Sequence, residues 1–201
     1  MLYKAIKRLF DFFVSLFLSI LTLPFFILIA IAIKIDSRGP VFFIHNRVGK
    51  NGKRLPLLKF RTMVNGAENM IKDFTFEQKK EWEENYKLEN DPRVTKIGKF
   101  LRKTSIDELP QLYNILIGQL SFVGPRPVTK EEIEKYGVNK TVVLSVTPGL
   151  TGWWACNGRS NINYNERMEL ELYYVEHASI ALDVKILFKT FGVVLTHEGA
   201  I

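Results

Sequence analysis

Phe12-Phe13-Val14-Ser15-Leu16-Phe17-Leu18-Ser19-Ile20-Leu21-Thr22-Leu23-Pro24-Phe25-Phe26-Ile27-Leu28-Ile29-Ala30-Ile31-Ala32-Ile33 is a run of 22 residues without a charge. As one straight helix rising about 1.5 Å per residue, it is long enough to cross a hydrocarbon core of about 30 Å. Pro24 interrupts it near the middle, where its ring removes a backbone hydrogen bond and crowds the preceding turn. The run is thereby divided into stretches of 12 and 10 residues, each too short to cross alone. Cations flank both ends: Lys4, Lys7 and Arg8 before it, then Lys34, Arg38, Arg47 and Lys50 after it. Basic residues stay on the cytoplasmic side, so this symmetry favours both ends on one face. A kinked, re-entrant helix is therefore expected over residues 1–36, broken at Pro24. A spanning helix with a tolerated proline is the alternative. No small-residue cleavage site follows the run, so a cleavable leader is not expected.

The rest of the 201-residue chain, residues 37–201, is expected to form one small catalytic domain. Residues 1–63 carry eleven Lys/Arg against two acids, whereas residues 64–201 carry seventeen against nineteen. The positive excess thus collars the apolar run, as suits an anionic membrane surface. Nucleic acid is the other partner that a pI near 9.4 suggests, but no helix-turn-helix, zinc-finger or aromatic RNA-binding signature accompanies it. The one cysteine, Cys156, excludes an internal disulfide framework and a multi-cysteine metal site.

The pattern reads as α/β, mostly α with short strands. Val41–Ile44 and Leu57–Phe60 read as strands around the turn-rich Gly49-Lys50-Asn51-Gly52. Residues 66–89 read as a charged, solvated helical region, 97–101 as a short amphipathic helix, 107–116 as a longer helix and 128–136 as a polar one. Residues 180–195 have helical apolar spacing and read as either a core helix or one lying on the membrane surface.

Lys103-Thr104-Ser105-Ile106-Asp107-Glu108-Leu109-Pro110-Gln111-Leu112 is the candidate for chemistry, and the start of a helix with no chemistry is the alternative reading. Ser105 and Glu108 have the spacing of a capping box, but that register puts Pro110 where a backbone donor is needed. With Asp107 as the cap, Pro110 falls in the first turn, where none is missed. A carboxylate there faces free N–H groups that attract phosphate. An ionised aspartate is a competent nucleophile toward phosphorus, and an adjacent carboxylate can hold Mg²⁺. Phosphate chemistry also needs fixed cations. Arg126, between Pro125 and Pro127, is held stiffly enough for bidentate recognition. Lys59 and Arg61 alternate on one strand face, Arg102 lies five residues before Asp107, and Arg159 follows the Asn157-Gly158 turn. His45, His177 and His197 lack metal-ligand spacing and read as surface or satisfied histidines. Neither a P-loop nor a dinucleotide fingerprint occurs, and there is no G-x-S-x-G elbow.

Asp91-Pro92-Arg93-Val94-Thr95, then Gly98 through Leu112, then Val123-Gly124-Pro125-Arg126-Pro127 resemble the bacterial sugar transferase family of monotopic phosphoglycosyl transferases. Lys59-Phe60-Arg61-Thr62-Met63, Pro148-Gly149-Leu150-Thr151-Gly152-Trp153 and Asn157-Gly158-Arg159 fit the same motif order, and the resemblance covers nearly the whole chain. It implies that Asp107 attacks a UDP-sugar, releasing UMP and keeping the phosphosugar, which a polyprenyl phosphate then accepts. Glu108 and Mg²⁺ assist, with Asp107 and Glu108 as metal ligands. Lys59, Arg61, Arg102, Arg126, Asn157 and Arg159 are the expected substrate-binding residues. The resemblance further implies a re-entrant helix broken at Pro24, and the cytoplasmic face of the bacterial inner membrane. It also implies a homodimer and downstream glycosyltransferases that extend the product. Trp153-Trp154-Ala155-Cys156 departs from the family pattern, which has a glutamine before the Asn-Gly-Arg turn. The larger members' additional N-terminal membrane helices are not expected, and the stretch 74–90 and Glu134-Lys135-Tyr136-Gly137 look more like the hexose-phosphate transferases.

Overall fold

A computed structural model describes residues 2–85, 88, 90–158 and 162–196. The apolar run lies in helix α1, Leu2–Asp36, which continues through Pro24 as one 35-residue helix. The two separate half-helices expected from the proline are thus joined. A proline removes only one backbone bond, which leaves helical dihedrals accessible on either side. The burial pattern of α1 is inverted relative to a soluble helix. Its buried residues are Asp11, Ser15 and Ile33, while Leu2, Phe13, Phe17, Ile20, Leu23 and Leu28 are exposed. Such a surface is stable only against an apolar environment.

Both ends of α1 are tied to the same globular body. Near its start, Arg8 donates to the carbonyls of Ile115 and Leu116 at 2.7 and 2.6 Å, and Lys7 pairs with Asp183 at 2.7 Å. Asp11 Oδ1 accepts from the Phe122 N–H at 3.1 Å. Near its end, Phe26 packs on Phe60, and Asp36 Oδ2 accepts from the Ile97 N–H. Part of the cationic collar therefore serves internal bonds, whereas Lys4, Lys34 and Arg38 remain exposed.

Strands β1 (Phe42–Val48) and β2 (Arg54–Phe60) form an antiparallel hairpin, with Phe42 opposite Phe60 and Val48 opposite Arg54. Both strands run longer than the sequence pattern suggested, because pairing extends through the polar residues His45, Asn46 and Arg47. The buried Asn114 completes the outer edge of β2, accepting from the Leu58 N–H at 3.0 Å and donating to Pro56 O at 2.9 Å. Helix α2 (Phe76–Asn85) lies within the charged stretch, and α3 (Lys96–Lys103) is capped by Thr95. A 3-10 turn over Ile106–Glu108 then precedes α4 (Gln111–Leu116).

Strand β3 (Ser121–Val123) pairs in parallel with β4 (Gly149–Thr151), which the turn-like reading of Pro148-Gly149 missed. The approach is too close for side chains: a Cβ on Gly149 would lie 2.1 Å from Gly124 N. Helices α5 (Lys130–Glu134) and α6 (Lys140–Leu144) intervene. Helix α7 (Tyr164–His177), which the sequence pattern did not reveal, is followed by α8 (Ile180–Thr196). The main core joins Leu55 and Leu57 of the hairpin to Leu112, Ile115, Phe122, Tyr174 and Ile186. Helix α8 serves as both core and surface, burying Asp183 and Ile186 while exposing Val184, Phe188 and Phe191.

Candidate active site

Ser105 closes α3 in the left-handed conformation (φ 56°), a position that usually favours glycine. The chain then turns sharply, and Asp107 and Glu108 sit in the 3-10 turn rather than at the head of a helix. Pro110, not Asp107, precedes the first residue of α4, and Ser105 makes no capping bond with its side chain. The expected cap geometry is thus corrected. Pro110 has no N–H to offer Ile106 O, and the segment uses three-residue bonds instead, Leu109 N–H to Ile106 O and Leu112 N–H to Leu109 O.

Lys59, at the end of β2, reaches both acids, with Nζ 2.6 Å from Glu108 Oε1 and 3.9 Å from Asp107 Oδ2. Arg102 donates through Nε to Thr62 Oγ1 at 3.0 Å and brings its charge to Asp107. Burial pushes the Asp107 carboxyl up to about 6, against Lys59 and Arg102, with the charge of Glu108 adding to the rise. Burial also raises Glu108. There Lys59, Arg126 and a Gln111 hydrogen bond outweigh it and hold the group below the usual carboxylate range. Two adjacent carboxylates thus differ in kind: one is costly to ionise, the other is firmly charged.

Arg126 belongs to a rigid loop. The Pro125 carbonyl accepts from the Gly149 N–H at 2.8 Å, and the Arg126 N–H points between both carboxylate oxygens of Glu171, each at 3.0 Å. The Arg126 guanidinium lies 5.0 Å from the centre of the Trp154 ring. Trp154, standing in the stretch that departs from the expected glutamine pattern, is therefore part of the site.

The structure brings Lys59, Arg102, Asp107, Glu108 and Arg126 together. Arg61 goes elsewhere: β2 ends at Phe60, so the alternation stops, and the buried guanidinium donates to Ser37 O, Ser37 Oγ and Arg38 O at the end of α1. It caps that helix instead of facing ligand. Asn157 bonds its own turn at Trp153 O and accepts from Lys189 at 3.0 Å, so its side chain ties the 153–158 turn to α8. Arg159 and His197 lie outside the described residues. Sequence reasoning missed His45, Arg47 and Arg167. Burial, with the charges of Arg47, Lys59 and Arg126, pushes His45 down to about 4, so it is neutral at neutral pH. The signal was available: His45 and Arg47 share strand parity with the cross-strand partner of Lys59.

A hard divalent cation such as Mg²⁺ takes oxygen ligands and keeps several waters, so one or two carboxylates suffice to hold it. Asp107 and Glu108 fit that need, since the charge of Glu108 raises the cost of ionising Asp107 and a cation would relieve it. Among the described residues no group of three or more His, Cys, Asp or Glu could hold a metal ion.

The sequence pattern that defines the bacterial sugar transferases matches residues 2–197. The chain belongs to the bacterial sugar transferase family. Among this family's members, it is 41% identical over 200 residues to the undecaprenyl-phosphate galactose phosphotransferase of Salmonella typhimurium, covering 98% of this chain and 42% of that protein. It is 41% identical over 197 residues to the exopolysaccharide production protein ExoY of Rhizobium meliloti, covering 96% of this chain and 87% of that one. It is 38% identical over 199 residues to the undecaprenyl-phosphate glucose phosphotransferase of Komagataeibacter xylinus, covering 92% and 35%. The chain thus spans about two fifths of the length of the first of these sugar transferases and most of the second.

Proposed function

We propose that this protein is a phosphoglycosyl transferase that moves a sugar 1-phosphate from a UDP-sugar to polyprenyl phosphate, as a first membrane step in polysaccharide synthesis. The observation that carries the reading is the buried Asp107, with Lys59 and Arg102 beside it and the firmly charged Glu108 next in sequence. The relatives' names, undecaprenyl-phosphate galactose and glucose phosphotransferase, supply the acceptor class.

In the first step a carboxylate oxygen of Asp107 bonds to the sugar-bearing phosphorus of the donor. The bond from that phosphorus to the bridging oxygen breaks, and UMP leaves with the electron pair. In the second step a phosphate oxygen of the polyprenyl phosphate attacks the same phosphorus and expels the Asp107 carboxylate, giving a polyprenyl diphosphate sugar. Burial makes Asp107 a poorly solvated, reactive anion once ionised, and Lys59 and Arg102 offset the repulsion between it and the anionic donor. Asp107 and Glu108 are the residues that would hold Mg²⁺, which supplies further neutralisation of the diphosphate. Arg126 supplies a charge-assisted, bidentate phosphate contact.

The same reading extends to the membrane. Residues at both ends of α1, Lys7, Arg8 and Asp11 at one and Ile33 and Asp36 at the other, bond or pack against one globular body. That supports a re-entrant α1, bent at Pro24, with the catalytic domain on the cytoplasmic face of the inner membrane. A helix that crossed would place those ends on opposite sides. Homodimers and downstream glycosyltransferases are the expected partners. The test is to incubate purified protein with Mg²⁺, a panel of UDP-sugars and polyprenyl phosphate. Release of UMP matched by a lipid-linked diphosphate sugar is expected, and no UMP across the panel would refute the proposal.

A further inference from the structure

One face of the β1–β2 hairpin carries two cations, Lys59 and Arg47, with the neutral His45 between them. Phe43 pairs with Lys59, His45 with Leu57 and Arg47 with Leu55, which puts Lys59, His45 and Arg47 on the same side. At about 3.3 Å per residue, Arg47 stands roughly 13 Å along the strand from the Phe43–Lys59 pair. At that far end Arg47 donates to Glu132 at 2.7 Å, and Glu132 lies 3.8 Å from Arg167 Nη1. Arg167 and Arg126 share one aromatic ring, their guanidinium carbons 5.3 and 5.0 Å from the centre of Trp154, and Arg167 also covers Tyr164 at 5.1 Å.

Two features set this cluster apart from a scaffold of ion pairs. Arg47, Arg126 and Arg167 bring three guanidiniums to Glu108, Glu132 and Glu171, but Glu108 is already paired with Lys59 at 2.6 Å and Glu171 is fully buried against the Arg126 backbone N–H. In addition, Nε and Nη2 of Arg167 are buried beside the equally buried Tyr136 hydroxyl, yet make no hydrogen bond of normal geometry among the described residues. Unspent charged donors in a crowded, partly dry site are costly unless an anion completes them. Trp154 and Tyr164 hold the guanidiniums in place through cation–π contact despite their mutual repulsion.

The geometry points to a phosphate-monoester subsite formed by Arg47, Arg126 and Arg167, used twice in each cycle: by the nucleotide phosphate that leaves and by the lipid phosphate that enters. The double use rests on the two-step transfer proposed above. In phosphoryl transfer the attacking and leaving oxygens lie roughly in line. Asp107 displaces UMP from the far side of the phosphorus, so the second nucleophile must approach Asp107's side-opposite position, the one UMP has vacated. The subsite therefore has to recognise what the two share, a phosphate monoester dianion, and planar guanidinium forks do so.

Binding to the detergent-solubilised full chain tests this at equilibrium. UMP is titrated calorimetrically, then displaced with farnesyl phosphate, with farnesol as the control of equal tail. Farnesyl phosphate should displace UMP, and farnesol should not. Arg47→Gln and Arg167→Gln should each weaken UMP and farnesyl phosphate together, by tenfold or more. Arg167→Lys, which keeps the charge but loses the fork, guards against a variant that fails to fold and should weaken both by several-fold. Exposed Lys50→Gln should change neither. Loss of one ligand with full retention of the other would overturn the shared subsite, as would unchanged binding of both in folded variants. These outcomes are independent of whether Asp107 becomes modified. Missing modification with the phosphate competition intact would instead count against the covalent route.

Discussion

Replacing Asp107 by asparagine should make the folded protein more stable while abolishing its chemistry. The carboxyl is 13% exposed, and its folded-state value of about 6 stands above the ordinary 3.8. At about 1.4 kcal/mol per unit, holding the charge costs the folded state roughly 3 kcal/mol. Because the folded value is raised, the cost is absent below about pH 4, grows as pH rises through 6, and is complete above it. The amide is nearly isosteric and strands no partner: Lys59 keeps Glu108 at 2.6 Å and Arg102 keeps Thr62 at 3.0 Å. Asp107→Asn should therefore gain about 2–3 kcal/mol at pH 7.5, or roughly 5–10 °C in thermal midpoint for a chain of this size. The assay is thermal unfolding of both proteins in one detergent at pH 7.5 and pH 4. A gain at pH 7.5 that vanishes at pH 4 is expected. No gain at pH 7.5, or an equal gain at both, would refute the claim that burial strains the ionised carboxylate. A strained, destabilising residue of this kind is what a reactive site requires.

Lys59→Met removes the charge that most lowers Asp107, so the pH midpoint for UMP release should move above about 6; an unchanged midpoint would separate Lys59 from the nucleophile. Arg61→Met removes four charge-assisted bonds at the end of α1, to Ile33 O, Ser37 O, Ser37 Oγ and Arg38 O. It should cost at least about 3 kcal/mol of stability, while the surviving folded fraction keeps the parent's donor KM; a raised KM would return Arg61 to the site. Cysteine introduced as Leu2→Cys in a Cys156→Ala background should react with an impermeant maleimide only after cells are permeabilised. Reaction in intact cells would put the N-terminal end of α1 across the membrane and end the re-entrant reading.

Much of this was legible in the sequence because the deciding signals are local. Twenty-two uncharged residues around Pro24 announce the apolar helix, and the order of the Asp107-Glu108 and Pro125-Arg126-Pro127 motifs announces the site. What was missed depends on contacts between distant segments. Helix α7 has its apolar residues dispersed among Glu166, Arg167, Glu169 and Glu171, two of which turn inward to the Arg126 loop, so no clean helical stripe survives. The β3–β4 pair is two strands of three residues, held by Gly124 and Gly149 in contact, and glycines at strand positions read as turns. Arg61 looked like a ligand-facing cation because strand alternation was extended one residue too far. His45 and Arg47 looked inert because their significance lies in what stands across the hairpin from them.

The central claim is that Asp107 carries the phosphosugar. Purified protein should be incubated with Mg²⁺ and each UDP-sugar of a panel, without polyprenyl phosphate, and its intact mass measured. With the right donor, the mass should rise by one phosphosugar, the modification should map to the peptide containing Asp107, and it should be lost on adding polyprenyl phosphate and absent from Asp107→Asn. UMP release and lipid product formed by a protein whose mass never changes would contradict it, and would assign the reaction to a single direct displacement.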